Sequence, residues 1–64
     1  MRETELRRRL VKHLGPTYAP VWALQFALGE LGSRTVEEAI ADGVDFKRIW
    51  LAVWAALDLP ASER

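Results

Sequence analysis

Apolar residues recur every four positions at the start of the chain, at Leu6, Leu10 and Leu14, while Arg7, Arg8, Arg9 and Lys12 occupy the rest of the cylinder. That spacing draws one apolar stripe on an amphipathic helix and predicts a first helix over 3–14. Gly15 and Pro16 end it. Thr17 stands where a cap belongs, and Pro20 is tolerated nearby because first-turn N–H groups have no intrahelical partner. The pattern then changes. At 100° per residue Val21, Leu24, Leu28 and Leu31 fall on one side, and Tyr18, Trp22 and Phe26 on the neighbouring one. A helix over 18–31 that is apolar round more than half its circumference reads as the central element, packed from both sides. Gly29, which costs about 1 kcal/mol against alanine in a helix interior, points there to a close helix crossing. Gln25 projects between the two apolar sides and reads as a buried amide with an internal partner.

The stretch TVEEAIADGVDFKRIWLAVWAAL, residues 35–57, reads as two helices joined by a tight turn. Thr35 and Glu38 have the spacing of a capping box, so a short third helix is predicted over 36–42. Gly43 can take the left-handed conformation that closes it. Asp45 then caps a fourth helix over 46–57, with Val44 placed to staple onto Ile49, and Pro60 stops the helix. The spacing of Ala39, Gly43 and Ile49 is also that of a helix-turn-helix, although any short helical corner needs a small contact residue and a turn glycine. The residues that a recognition helix would offer to bases are Asp45, Phe46, Lys47, Trp50 and Leu51, mostly acidic or apolar where base readout prefers Arg, Lys, Asn and Gln. The expected core is Leu10, Leu14, Val21, Leu24, Leu28, Ile49, Trp50, Val53 and Leu57.

With 64 residues the chain is one domain, 1–64, whose core leaves about 3–5 kcal/mol of net stability. It has no cysteine, so neither a disulfide nor a thiolate metal site supports it, which fits a reducing cytoplasm. Three tryptophans in so short a chain imply a dense core or a surface that meets a partner. The net charge is zero but uneven: residues 1–14 carry five cations against two carboxylates, and the remainder four against seven. Strong non-specific nucleic-acid binding needs a clear positive excess, which is missing. The basic start leads into more charge instead of an apolar signal region, and the run from Ile49 to Leu57 is too short to span a bilayer. A soluble cytoplasmic protein is expected, with no membrane contact.

Candidate chemistry is sparse. His13 is the only histidine, and acting as a general base it would need a nucleophile or an orienting acid that the sequence does not name. Near a helix C-terminus it serves more simply as a partner of the dipole or a packing group. Glu37, Glu38 and Asp42 follow no metal-loop spacing; the first two suit a first turn, where the dipole favours negative charge. Arg7, Arg8, Arg9 and Lys12 could meet an anionic partner, but consecutive arginines on a helix diverge in 100° steps and more often form a solvated face. On the fourth helix, Phe46, Ile49, Trp50, Val53 and Leu57 form one arc that satisfies a core, leaving Leu51 and the flank of Trp54 without an intrachain use. An apolar centre at Leu51 and Trp54, with Lys47 and Asp58 nearby, resembles a protein interface anchored on tryptophan.

Three segments, HLGPTYAPVWA at 13–23, LGSRTVEEAIADGVD at 31–45 and IWLAVWAALDLP at 49–60, carry the pattern GxxYA, LGxRTVxxAxxxG, then IW before a final LP. In this the chain resembles the small actinobacterial proteins grouped as domain of unknown function 3046, over nearly its whole length. The resemblance implies no activity. It implies a DNA-repair context, since members of the family are often encoded near the recombinase and its regulator. Three positions depart from the family pattern: Gln25 stands in place of an acidic residue, Trp54 where cysteine is common, and Leu6 where an aromatic is usual.

The expected architecture is therefore an all-α, compact four-helix single domain with a short third helix and a helix-turn-helix-like corner between helices three and four. The expected role is a non-enzymatic interaction module, an adaptor or self-associating accessory protein, without catalytic residues, cofactor or metal. Its partner would be a protein or a second copy, met through helix four at Leu51, Trp54, Lys47 and Asp58. The alternative is a DNA-associated accessory protein that uses the corner and the basic first helix, with nucleic-acid binding absent or weak on the charge balance.

Overall fold

In a computed structural model that describes all 64 residues, the Thr35 hydroxyl accepts from the Glu38 N–H at 3.1 Å, and the Glu38 carboxylate accepts from the Thr35 N–H at 2.8 Å. The predicted capping box is formed, and a short helix follows it. Gly43 closes that helix at φ +78°, and the Asp45 carboxylate accepts from the Arg48 N–H at 3.1 Å to open the next one. The four helices are α1 (Glu3–Leu14), α2 (Tyr18–Gln25), α3 (Val36–Ala41) and α4 (Phe46–Ala56). Single 3-10 turns at Gly29–Leu31 and Ala61–Glu63 complete an all-α fold. The one extended pairing is an isolated antiparallel bridge between Leu28 and Arg34.

The second helix differs most from expectation. It ends at Gln25 instead of Leu31, and Phe26 adopts an extended ψ of 114°. The reason lies in which face turns inward. Ala19, Trp22 and Ala23 are buried, whereas Val21, Leu24 and Gln25 are exposed. At 100° per residue, a helix holding Ala19 and Ala23 inward would aim Leu28 and Leu31 at solvent and Glu30 at the core. Breaking the helix at Phe26 reverses this: Leu28 and Leu31 are buried and Glu30 is exposed. The turn keeps its backbone paired, with the Leu28 N–H on the Arg34 carbonyl at 2.9 Å and the Ser33 N–H on the Leu28 carbonyl at 3.0 Å.

Several expectations are thereby corrected. Val21 and Leu24 are outside the core, and Gln25 needs no buried partner. Thr17 makes no side-chain cap, its own φ and ψ of −82° and −43° being already helical. Leu14 and Leu57 are half-buried at the margin of the core. Gly29 marks no helix crossing, since a Cβ built there meets nothing within 4 Å. Close packing of α2 falls to Ala19 and Ala23 instead, against α1 and α3. Gly29→Ala is consequently expected to be neutral or to stabilise by a few tenths up to about 1 kcal/mol, by restricting the unfolded chain. A urea titration checks this, and a loss above 1 kcal/mol would reinstate the crossing.

The core is completed by Leu6 and Leu10 of α1, Val36 and Ala39 of α3, and Ile49, Trp50, Ala52 and Val53 of α4. Trp50, the largest fully buried side chain, donates its indole N–H to the Glu63 carbonyl at 2.9 Å. The last residues thus lie back across α1 and α4, leaving the outer face of α2 uncovered.

Candidate functional site

The basic residues of α1 are engaged within the chain. Arg7 reaches Glu3 at 2.9 Å and grips Glu37 of α3 with two bonds of 2.8 and 3.0 Å, a bidentate pair that ties the two helices together. Arg8 pairs with Glu5, and Arg9 donates to Glu5 at 2.9 Å and to the Arg64 carbonyl at 3.1 Å. Lys12 bonds the Glu63 carboxylate at 3.0 Å. The suspected anionic-partner residues therefore each carry an internal counter-charge. The imagined carboxylate site divides likewise: Glu37 belongs to Arg7, Glu38 to the capping box, and Asp42 to Arg34 at 3.2 Å.

These pairs set the acid response. The Arg7 hydrogen bonds hold the Glu37 carboxyl below its ordinary value of 4.5, with burial opposing. Lys12 does the same for Glu63, helped by His13, and Arg9 leads for Glu5. A carboxylate whose pKa is lower folded than unfolded stabilises fully above its unfolded value, and that contribution is lost as pH falls through the folded one. Melting temperature is expected to hold from pH 7 to about 5 and to fall below it. Glu37→Gln should melt lower at pH 7 and show a shallower fall between pH 5 and 3; an unchanged slope would remove Glu37 from the account.

The helix-four candidates meet the end of the chain. Trp54 is half-buried and donates its N–H to the Pro60 carbonyl at 2.8 Å, and the Arg64 guanidinium lies 5.4 Å from its ring centre. Lys47 donates to the Arg64 carbonyl at 2.9 Å. Leu51 is half-buried, and Asp58 is exposed with φ +53° just past the helix. Trp54 and Lys47 therefore do have an intrachain use that the helical projection missed. His13 joins the same closure, bonded to Glu63 at 2.9 Å and stacked on Trp50 with ring centres 5.9 Å apart.

What stays uncovered is the outer face of α2, where Leu24 is 64% exposed, Tyr18 55%, Phe26 46% and Val21 44%. Phe26 stacks on Trp22 with centroids 4.9 Å apart and planes 13° from parallel. Tyr18, Val21, Gln25 and Phe26 wall a shallow groove of about 260 Å³ floored by Trp22. No residue from Gly15 to Gly29 carries a formal charge. The four side chains expose on the order of 400 Å², about a tenth of the 4019 Å² total and about half of the ~800 Å² per partner that a standard specific interface buries. The sequence held this signal as an uncharged, apolar helix, but projection gave its large residues to the core.

The profile of the family described as "Protein of unknown function (DUF3046)" matches residues 1–62. The chain belongs to this family. No curated protein matches it, and no solved structure does. Most of the motif residues quoted above have structural work in this DUF3046 chain. Gly32 is left-handed at φ +67°, Arg34 donates to the Leu31 carbonyl at 2.7 Å, Thr35 caps α3, and Ala39 and Trp50 are buried. Tyr18 is different, being an exposed aromatic on α2. Of the three positions that the resemblance sets apart, Leu6 lies in the core, Trp54 bonds Pro60, and Gln25 borders the α2 groove. No helix is long and apolar enough to cross a membrane.

Proposed function

We propose that this DUF3046 chain is a non-enzymatic interaction module that docks a protein through the outer face of α2. The observation that carries the reading is the exposure of Tyr18, Val21, Leu24 and Phe26 together on an uncharged surface. Large apolar side chains held on a helix or just past its end and still open to water favour association, because burying them removes apolar area from water at little conformational cost. The cysteine-free composition fits a cytoplasmic setting.

Helix four is a second possible surface, through Leu51, Trp54, Lys47 and Asp58. It supports the reading less, because a partner would have to displace the bonds that Trp54 and Lys47 make to Pro60 and Arg64. The DNA-associated alternative, with its DNA-repair setting, is weakened in the same way, since Arg7, Arg8, Arg9 and Lys12 already hold carboxylates.

Affinity capture from the native cell extract, run in parallel with the native chain and a Val21→Glu, Leu24→Glu double variant, tests the α2 reading. A protein retained by the native chain and lost by the variant is the expected result. The same proteins captured by both would move the docking surface off α2, and sub-micromolar duplex binding that survives moderate salt would favour the DNA alternative.

A further inference from the structure

We infer that the occupant of the α2 face is a second copy of this chain, an inference that rests on the docking reading above and names its partner. A contact between identical faces sets every group against its own copy, so net charge on such a face repels itself. This face has none: Gly15 to Gly29 are uncharged, and the charged residues of α1 are drawn into pairs with Glu3, Glu5, Glu37 and Glu63. A partner chosen by charge would find nothing on α2 to recognise.

Area bears on the same point. Leu24 is the most exposed of the large apolar residues, and Val21, three residues before it, lines the groove together with Tyr18, Gln25 and Phe26. A contact between two identical faces closes on two copies. The apolar area continues past Pro20 to a cleft lined by Val11, which is 40% exposed, and by Arg7, whose guanidinium is held by Glu3 and Glu37. With these flanks about 500 Å² per copy is available, or roughly 1,000 Å² for the pair, at the lower bound for a specific interface. An interface at that bound makes the dimer a weak, reversible one. Gln25 sits in the groove wall with one amide donor group and one acceptor, and it can pair with its own copy without leaving either unsatisfied.

Sedimentation equilibrium over a concentration series, on the native chain, Leu24→Glu and Leu51→Glu, tests this. The native chain and Leu51→Glu are expected to rise from 7.3 kDa towards twice that mass, while Leu24→Glu stays at 7.3 kDa or dimerises at least tenfold more weakly. Far-UV circular dichroism confirms that the variant is folded, and Leu24→Gln with the same readout replaces it if it is not. A native chain that stays monomeric at millimolar concentration overturns self-pairing. A protein whose capture then depends on Val21 and Leu24 leaves the docking reading standing, and no such protein removes both. Dimerisation abolished by Leu51→Glu but kept by Leu24→Glu also overturns the inference, moving the contact to α4.

Discussion

Replacing Trp50 by alanine is expected to abolish the cooperative folded state. The residue is fully buried, touches the last turn of α1 through His13, and bonds the Glu63 carbonyl, so it joins α1, α4 and the end of the chain at one point. Truncating a buried tryptophan costs about 3–5 kcal/mol, from lost transfer energy and the cavity left behind. A core of this size leaves a net stability of only about 3–5 kcal/mol. The two figures cancel, and Trp50→Ala should show little or no urea transition at 25 °C by circular dichroism. Trp50→Phe separates packing from the hydrogen bond: it keeps an aromatic ring but gives up the N–H, at about 1–3 kcal/mol. Trp54→Ala should cost less than Trp50→Ala, because that ring is only half-buried. A native-like midpoint for Trp50→Ala would mean that the indole is not central to the core.

The features that could be read from the sequence are those written in local chemistry. The stripe of Leu6 and Leu10, the Thr35–Glu38 box, the left-handed Gly43 and the Asp45 cap each involve residues within four positions of one another, and each forms. The second helix could not be read this way. Apolar residues nearly surround it, so its periodicity chooses no inward face, and the choice is left to packing against α1 and α3. Packing selected Ala19 and Ala23, whose small side chains permit close approach, and pushed Val21 and Leu24 outward. The same choice placed a candidate surface on α2 that the helical projection had assigned to the core. The cover over α4 was illegible for a different reason. Pairs such as Arg9 with Arg64 and His13 with Glu63 join opposite ends of the chain, with no turn signal or periodic spacing to announce them.

The inverted face of α2 makes a second large prediction, in which two adjacent residues exchange their expected roles. Ala23 is 1% exposed, whereas Leu24 is 64% exposed. Ala23→Leu inserts three carbons where α2 meets its neighbours, and overpacking of this kind costs about 1–3 kcal/mol, occasionally more. On the stability margin given above, that places the domain near its unfolding threshold or swings α2 away from α1. Leu24→Ala removes the same three carbons from solvent, and surface changes lie within about 0.5 kcal/mol. A buried leucine there would instead cost about 2–5 kcal/mol. Urea titrations at low micromolar concentration, where self-association does not contribute, distinguish the two packings in one experiment. A lowered midpoint for Ala23→Leu with a native one for Leu24→Ala supports the observed face. The reverse order would return Val21 and Leu24 to the core, and with them would go the exposed surface on which the docking and self-pairing proposals both depend.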